Sequence, residues 1–331
     1  MLGKAKTSAK VEVDFRGSGT TYSLFRIRHV YFNLDWGKSA LLVGQTWHPL
    51  YGDVAPEILN LNMGAPYQPF SRAPQIRYRF TSNNFMLTAA AIWQSQYLSV
   101  GPKTNKPGET STQKSQEFMK KSCVPEFYLG VDYKRPGLIA GAGLHVSSIT
   151  PRTQSETEDA VYFVNERVTG ISGEAHVKYT KENWLVSAKT VLGTNLTQTS
   201  TVGGYGITSI DEVTGKQQYS PLRTSSTWVN VAYGKKWRPA LFFGYLKNLG
   251  ATKEVPYGAL GTGTTLDQLF TGTAELTYNI PHWKFGAEYS LCNAWYGDEF
   301  DAKAKAINSH SILNHRIVLV ALFSKVLKKE R

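Results

Sequence analysis

Polar and apolar residues alternate one for one in short stretches along the whole chain. AKVEVDFRG sets Val11, Val13 and Phe15 against Lys10, Glu12, Asp14 and Arg16. QIRYRF sets Ile76, Tyr78 and Phe80 against Arg77 and Arg79, and EFYLGVDYK aligns Phe127, Leu129, Val131 and Tyr133. Successive strand side chains point to opposite faces, so each stretch predicts a β-strand with one apolar face. The rhythm recurs in LFRIRHVYF, ALLVGQTW, FMLTAAAIW, LIAGAGLHV, GEAHVKYT, WLVSAKT, WVNVAYG, LFFGYLK, FTGTAELTYN, KFGAEYSL and HRIVLVALF, about fourteen strands in all. In LFRIRHVYF, Tyr31 is expected to share a face with Phe25 and Ile27. No stretch reads as a convincing amphipathic helix, and no repeat of 20–50 residues appears. Open sheets rarely exceed ~10 strands, so the pattern predicts a single all-β domain over 1–331, closed on itself.

The connections alternate between tight and long. Tight turns fall at 35–39, 81–84, 134–137, 180–183, 235–239 and 279–283. Long polar or Gly/Pro-rich loops fall at 48–73, 101–122, 149–160, 194–225, 248–265 and 293–308. With an even number of strands, every tight turn lies at one end of the sheet and every long loop at the other. That is the anatomy of a transmembrane antiparallel β-barrel with short periplasmic turns and long extracellular loops. Trp36, Trp47, Trp93, Trp184, Trp228, Trp237 and Trp283 stand at or near strand ends, where such barrels keep aromatic girdles.

Composition sharpens this. Mean hydropathy of −0.29 excludes a helical membrane protein, and the apolar run Ile317 to Phe323 is far short of the ~18 residues a spanning helix needs. The start MLGKAKTSAK lacks an apolar signal-peptide core, which taken alone points to the cytosol. A net charge of +12 suits anionic partners: acidic lipid, anionic solutes or nucleic acid. Cys123 and Cys292 form neither a metal cluster nor a disulfide framework. An arginine on a lipid-facing strand surface costs about 2–4 kcal/mol at the midplane, so Arg26, Arg28, Arg77 and Arg79 are expected to face a water-filled lumen.

The run FRIRHVYFNLDWGKSALLVGQTWHPL, followed by FSRAPQIRYRF, resembles the DcaP-like family of outer-membrane porins. The likeness is carried by Arg26, Arg28 and His29; by Gly44, Gln45, Thr46 and Trp47; and by Pro74, Gln75, Ile76, Arg77 and Tyr78, within residues 9–80. It implies a sixteen-stranded homotrimeric barrel in a Gram-negative outer membrane, among lipid and lipopolysaccharide, passing small anions such as dicarboxylates. On that reading the first hairpin is missing, and Met1 is an internal start or a truncation.

Candidate chemistry follows from the basic strands. Arg26, Arg28, Arg77 and Arg79 are expected at similar heights, separated by one strand bearing Gln45, as an anion-guiding ladder. The alternative is that they pair with Glu12, Asp14, Glu126 or Asp132 across the lumen. Lys178, His176 and Lys189 are expected to face the lumen too. Loop 51–72 is too apolar for a solvated cap, so it either folds inward, with Asp53 and Glu57 lining a constriction and Arg72 near its exit, or covers a neighbouring subunit. No GxSxG, HExxH or Walker pattern occurs, and no metal or cofactor is expected. Two competitors stand beside the non-enzymatic porin: a barrel hydrolase using His310, Ser311 and His315, and a soluble β-sheet nucleic-acid binder. Charge spread over every strand opposes the latter, so nucleic acid is not an expected partner.

Overall fold

The computed structural model describes residues 5–15, 25–60 and 64–324. In chain order the strands are β1 (Lys6–Asp14), β2 (Arg26–Asp35), β3 (Ser39–Trp47), β4 (Arg72–Ser82), β5 (Phe85–Ile92), β6 (Val100–Pro102) and β7 (Thr112–Lys114). The short helix α1 (Glu117–Ser122) precedes β8 (Glu126–Arg135), β9 (Leu138–Ile149), β10 (Gln154–Glu156), β11 (Val161–Phe163), β12 (Val168–Lys181) and β13 (Trp184–Thr194). Then follow β14 (Gly203–Ile210), β15 (Gln217–Tyr233), β16 (Trp237–Ala251), β17 (Ala259–Thr262), β18 (Leu266–Ile280), β19 (Trp283–Phe300) and β20 (Ala306–Phe323).

Fourteen of these pair consecutively in one antiparallel sheet, in the order β1-β2-β3-β4-β5-β8-β9-β12-β13-β15-β16-β18-β19-β20. They are the fourteen strands expected from the alternation. All six tight turns gather at one end, and each contains or directly follows a residue of positive φ: Gly37, Asn83, Gly137, Glu182, Gly234 and His282. Backbone hydrogen bonds link successive turns around the rim, from Thr81 to Lys38, Lys134 to Asn84, Thr180 to Gly137, Gly234 to Asn183, and Asn279 to Lys236.

The sheet is apolar outside and polar inside. Ile76, Phe127, Leu129, Leu144, Ile171, Leu192, Leu241 and Phe243 point outward and are exposed, although they are mid-strand. Gln75, Arg77, Glu126, His145, Glu174, Lys189, Asn230, Glu275 and Glu288 on the opposite rows are buried. An apolar belt this continuous is incompatible with water and fits a bilayer. The sheet curves far enough that one loop touches strands from β4 to β19 on its inner face, which makes it a transmembrane barrel. The aromatic girdle forms at the tight-turn end, where Trp36, Trp184, Trp237 and Trp283 are exposed. Trp184 packs on Tyr233 and Trp237 on Tyr278.

Four expectations need correction. Trp228 is no girdle residue: it points inward, fully buried, and donates to Gln68 Oε1 at 2.8 Å. Trp47 packs among Tyr51, Phe70 and Arg72. A register shift in the β1/β2 pairing turns Arg28 and His29 to the same side, so Val30 and Phe32 take the outer row and Tyr31 the inner one. The stretch 293–308 is mostly strand, with only 301–305 between β19 and β20, because beyond the membrane both faces turn polar and the alternation fades. The connections between β5 and β8, β9 and β12, β13 and β15, and β16 and β18 fold into a cap at the long-loop end. β14 pairs with β15 and β17 there, and Phe118, Ile149, Val168, Tyr205, Ile207 and Leu260 form its core.

Candidate functional site

The segment between β3 and β4 answers the question raised by its apolar composition: it folds inward and crosses the barrel. The His48 amide donates to the Ser71 carbonyl at 2.9 Å and closes its neck. Lys189 of β13 donates to the Leu50 and Tyr51 carbonyls at 2.9 and 2.8 Å. Farther along, the Glu57 amide donates to Asn230 Oδ1 at 2.8 Å, Leu59 to Glu275 Oε2 at 2.7 Å, and Asn60 to Glu288 Oε2 at 3.0 Å. On the return, the Tyr67 hydroxyl meets Thr271 and Gln68 meets Trp228. Val54 and Tyr67 are buried against Trp228, Phe242, Leu246 and Leu266, which explains the loop's apolar content.

Its two carboxylates are held by cations of the wall. Lys134 and Arg79 hold Asp53, the latter at 3.9 Å, and Lys178 and Arg238 hold Glu57, each at 2.7 Å. Burial pushes the Asp53 carboxyl up, but the Lys134 and Arg79 charges more than offset it and leave it below its usual range. A second group lies on β1 and β2. Arg26 makes a two-pronged bond to Asp14 at 2.6 and 2.9 Å, while Arg28 contacts Glu12 at 2.8 Å and Asp14 at 3.3 Å. For Arg26 and Arg28, pairing with Glu12 and Asp14 is therefore what the geometry displays.

The four arginines do not share a height. Arg77 and Arg79 stand opposite Leu42 and Ala40 of β3, which face Asn33 and Asp35 of β2. Measured along β2, Arg28 and Arg26 lie five and seven residues from Asn33 toward the long-loop end, about 16 and 23 Å at ~3.3 Å per residue. The similar-height expectation fails because register is set by the tight turn at 35–39, not by motif likeness. Gln45 stands on the intervening strand between the levels of the two arginine pairs, but its side chain lies on the outer row with Val30 and not in the lumen. It faces Val30 in register, donates to the Ile27 carbonyl and accepts from Ser95. Arg77 is buried, bonded to Gln75 and the Trp47 carbonyl, whereas Arg79 is partly exposed. Arg72 is buried at the loop's return, stacked on Trp47.

One cluster was not anticipated. His145 and His48 both contact Glu126 Oε2, at 2.9 and 3.2 Å, and Gln94 donates to Glu126 Oε1 at 2.7 Å. All three of His48, Glu126 and His145 are buried. The Leu50 amide donates to His48 Nδ1, so the neutral ring carries its proton on Nε2 and donates to Glu126. That tautomer suits a hydrogen-bonded root for the loop better than a metal ligand. Only the topology brings 48, 126 and 145 together, and no local spacing announces it. Of the hydrolase candidates, His310 pairs with Asp298 and His315 with Tyr289, while Ser311 lies opposite Trp295, so they do not converge.

No protein-family model matches the chain, and no curated protein matches it. Among solved structures the chain is similar to the outer membrane channel DcaP of Acinetobacter baumannii, at 16% identity and a TM-score of 0.68, over 97% of this chain and 81% of that one. It is similar to Salmonella typhi OmpF at 13% identity and 0.54, over 97% and 86%. It is also similar to an anion-selective porin from Comamonas acidovorans at 10% identity and 0.52, over 96% and 84%. At these identities the likeness establishes the fold: the chain has the outer-membrane porin barrel. Its likeness to the DcaP channel agrees with the resemblance carried by β2, β3 and β4.

Proposed function

We propose that the protein is a non-catalytic diffusion channel of a Gram-negative outer membrane, assembled as a homotrimer among lipid and lipopolysaccharide, and preferring small anions. Support for the preference comes from one feature of the partly exposed charge clusters: they hold more cation than carboxylate. Lys10, Arg26, Arg28, Arg79, Lys134, Lys178 and Arg238 surround only Glu12, Asp14, Asp53, Glu57 and Asp132. Among the described residues, Glu126, Glu174, Glu275 and Glu288 on the inner rows are buried and occupied by wall or loop donors. Flat guanidinium forks suit carboxylate solutes, which supports a dicarboxylate-like cargo. The test is the reversal potential of purified protein in a planar bilayer under a potassium chloride gradient. A value toward the chloride potential is expected, and one toward the potassium potential overturns the anion preference.

A further inference from the structure

Arg72 opens β4 at the long-loop end as a cation without a counter-ion among the described residues. Its guanidinium carbon lies 3.7 Å from the Trp47 ring centre and 5.9 Å from that of Phe70. The residue is 3% exposed, and its Nε is buried with no hydrogen-bond partner. Among the described residues the guanidinium makes no hydrogen bond and no ion pair; only the backbone amide is engaged, donating to Gln96 Oε1 at 2.9 Å. Glu12 and Asp14 are taken by Lys10, Arg26 and Arg28. Arg26 and Arg28 stand near enough to repel Arg72, and Glu12 and Asp14 near enough to attract it, though neither carboxylate forms an ion pair with it.

A buried guanidinium is normally paired, because its hydration must be replaced. Stacking on Trp47 replaces part of it and fixes the plane of the fork. The in-plane N–H groups are left for a ligand, and a flat fork matches a carboxylate edge-on. The surroundings select what the carboxylate is attached to. Phe70 and Tyr97 pair at 6.4 Å, and Tyr51 stacks on Trp47 at 4.2 Å, so the walls are aromatic. We infer that Arg72, Trp47 and Phe70 form a binding site at the channel mouth for a small monocarboxylate bearing an apolar, ring-sized group. The inference rests on the channel reading above and adds an aromatic-acid subsite ahead of the loop-crossed lumen.

The probe is benzoate, with acetate as the same charge lacking the ring. In a planar bilayer, benzoate added on the long-loop side is expected to interrupt the wild-type current at lower concentration than acetate. Arg72→Gln and Arg72→Lys, which both lose the fork, are each expected to need about tenfold more benzoate for the same interruption frequency. A second readout is free of conduction and of any Arg72 variant. Benzoate should change the tryptophan fluorescence of the wild-type barrel in detergent, and Trp47→Phe should lose that response. Equal benzoate sensitivity in wild type and both Arg72 variants, or no wild-type response by either method, overturns the site. Acetate acting as well as benzoate overturns its apolar component. A chloride-preferring channel without benzoate response leaves the channel reading standing and sinks the site. A benzoate-responsive barrel that does not conduct does the reverse.

Discussion

A buried ammonium shows at the scale of one residue how the loop is held. Lys189 is almost fully buried and spends its donors on two main-chain carbonyls, Leu50 and Tyr51, rather than on a carboxylate. Removing it leaves the buried Leu50 carbonyl without its donor, at about 1–3 kcal/mol, while the Tyr51 carbonyl keeps Gln68 Nε2 at 2.8 Å. Lys189→Met fills similar volume without donating. It is expected to release the first turn of the loop, seen as increased open-channel current noise and higher mean conductance. Noise and conductance equal to wild type would show that Lys178, Arg238 and Lys134 hold the loop without it. That Lys178 and Lys189 point inward was legible, because both lie on the polar side of an alternating stretch. That they meet Glu57 and two loop carbonyls was not, since those partners are more than 120 residues away in the chain.

Elements were the most legible level, and the places where the reading slipped share one cause. Alternation reports which residues share a face but not which residues of the next strand stand opposite, so a bulge passes unseen. Gly44 marks a close approach that alternation does not report either: its φ is +132°, and a Cβ there would lie 2.3 Å from the Val30 carbonyl oxygen. Gly44→Ala therefore must push β3 away from β2, and a heat-modifiability assay should show unfolding in detergent at lower temperature than wild type. An unshifted transition would mean the β2/β3 register is not rigid at that point. The orientation of the elements gives a second expectation. A tag within 194–225, at the capped end, should be labelled on intact cells, and one in the turn at 134–137 should not. Labelling confined to the turn would invert the barrel.

At the scale of the whole molecule, fourteen strands and their two faces were readable because a bilayer demands continuous apolar belts, a demand written into every strand. The lumen was less readable, since its charges are arranged by closure of the sheet and by one inward loop. That arrangement makes a prediction with opposite signs on its two sides. Glu57 stands between Lys178 and Arg238 at 2.7 Å from each. Glu57→Gln should leave two cations facing the lumen with no carboxylate between them and should raise chloride preference. Arg238→Gln should leave one carboxylate against one cation and lower it. Unit charges ~4 Å apart interact by about 1 kcal/mol in water and about 4 kcal/mol at an effective dielectric of ~20, both above thermal energy. The two reversal potentials should therefore move apart around wild type, and farther apart at 0.01 M than at 1 M salt, where screening lengths are about 30 and 3 Å. Shifts in the same direction would mean that permeating ions do not pass the Glu57 cluster and that the loop serves the barrel's stability alone.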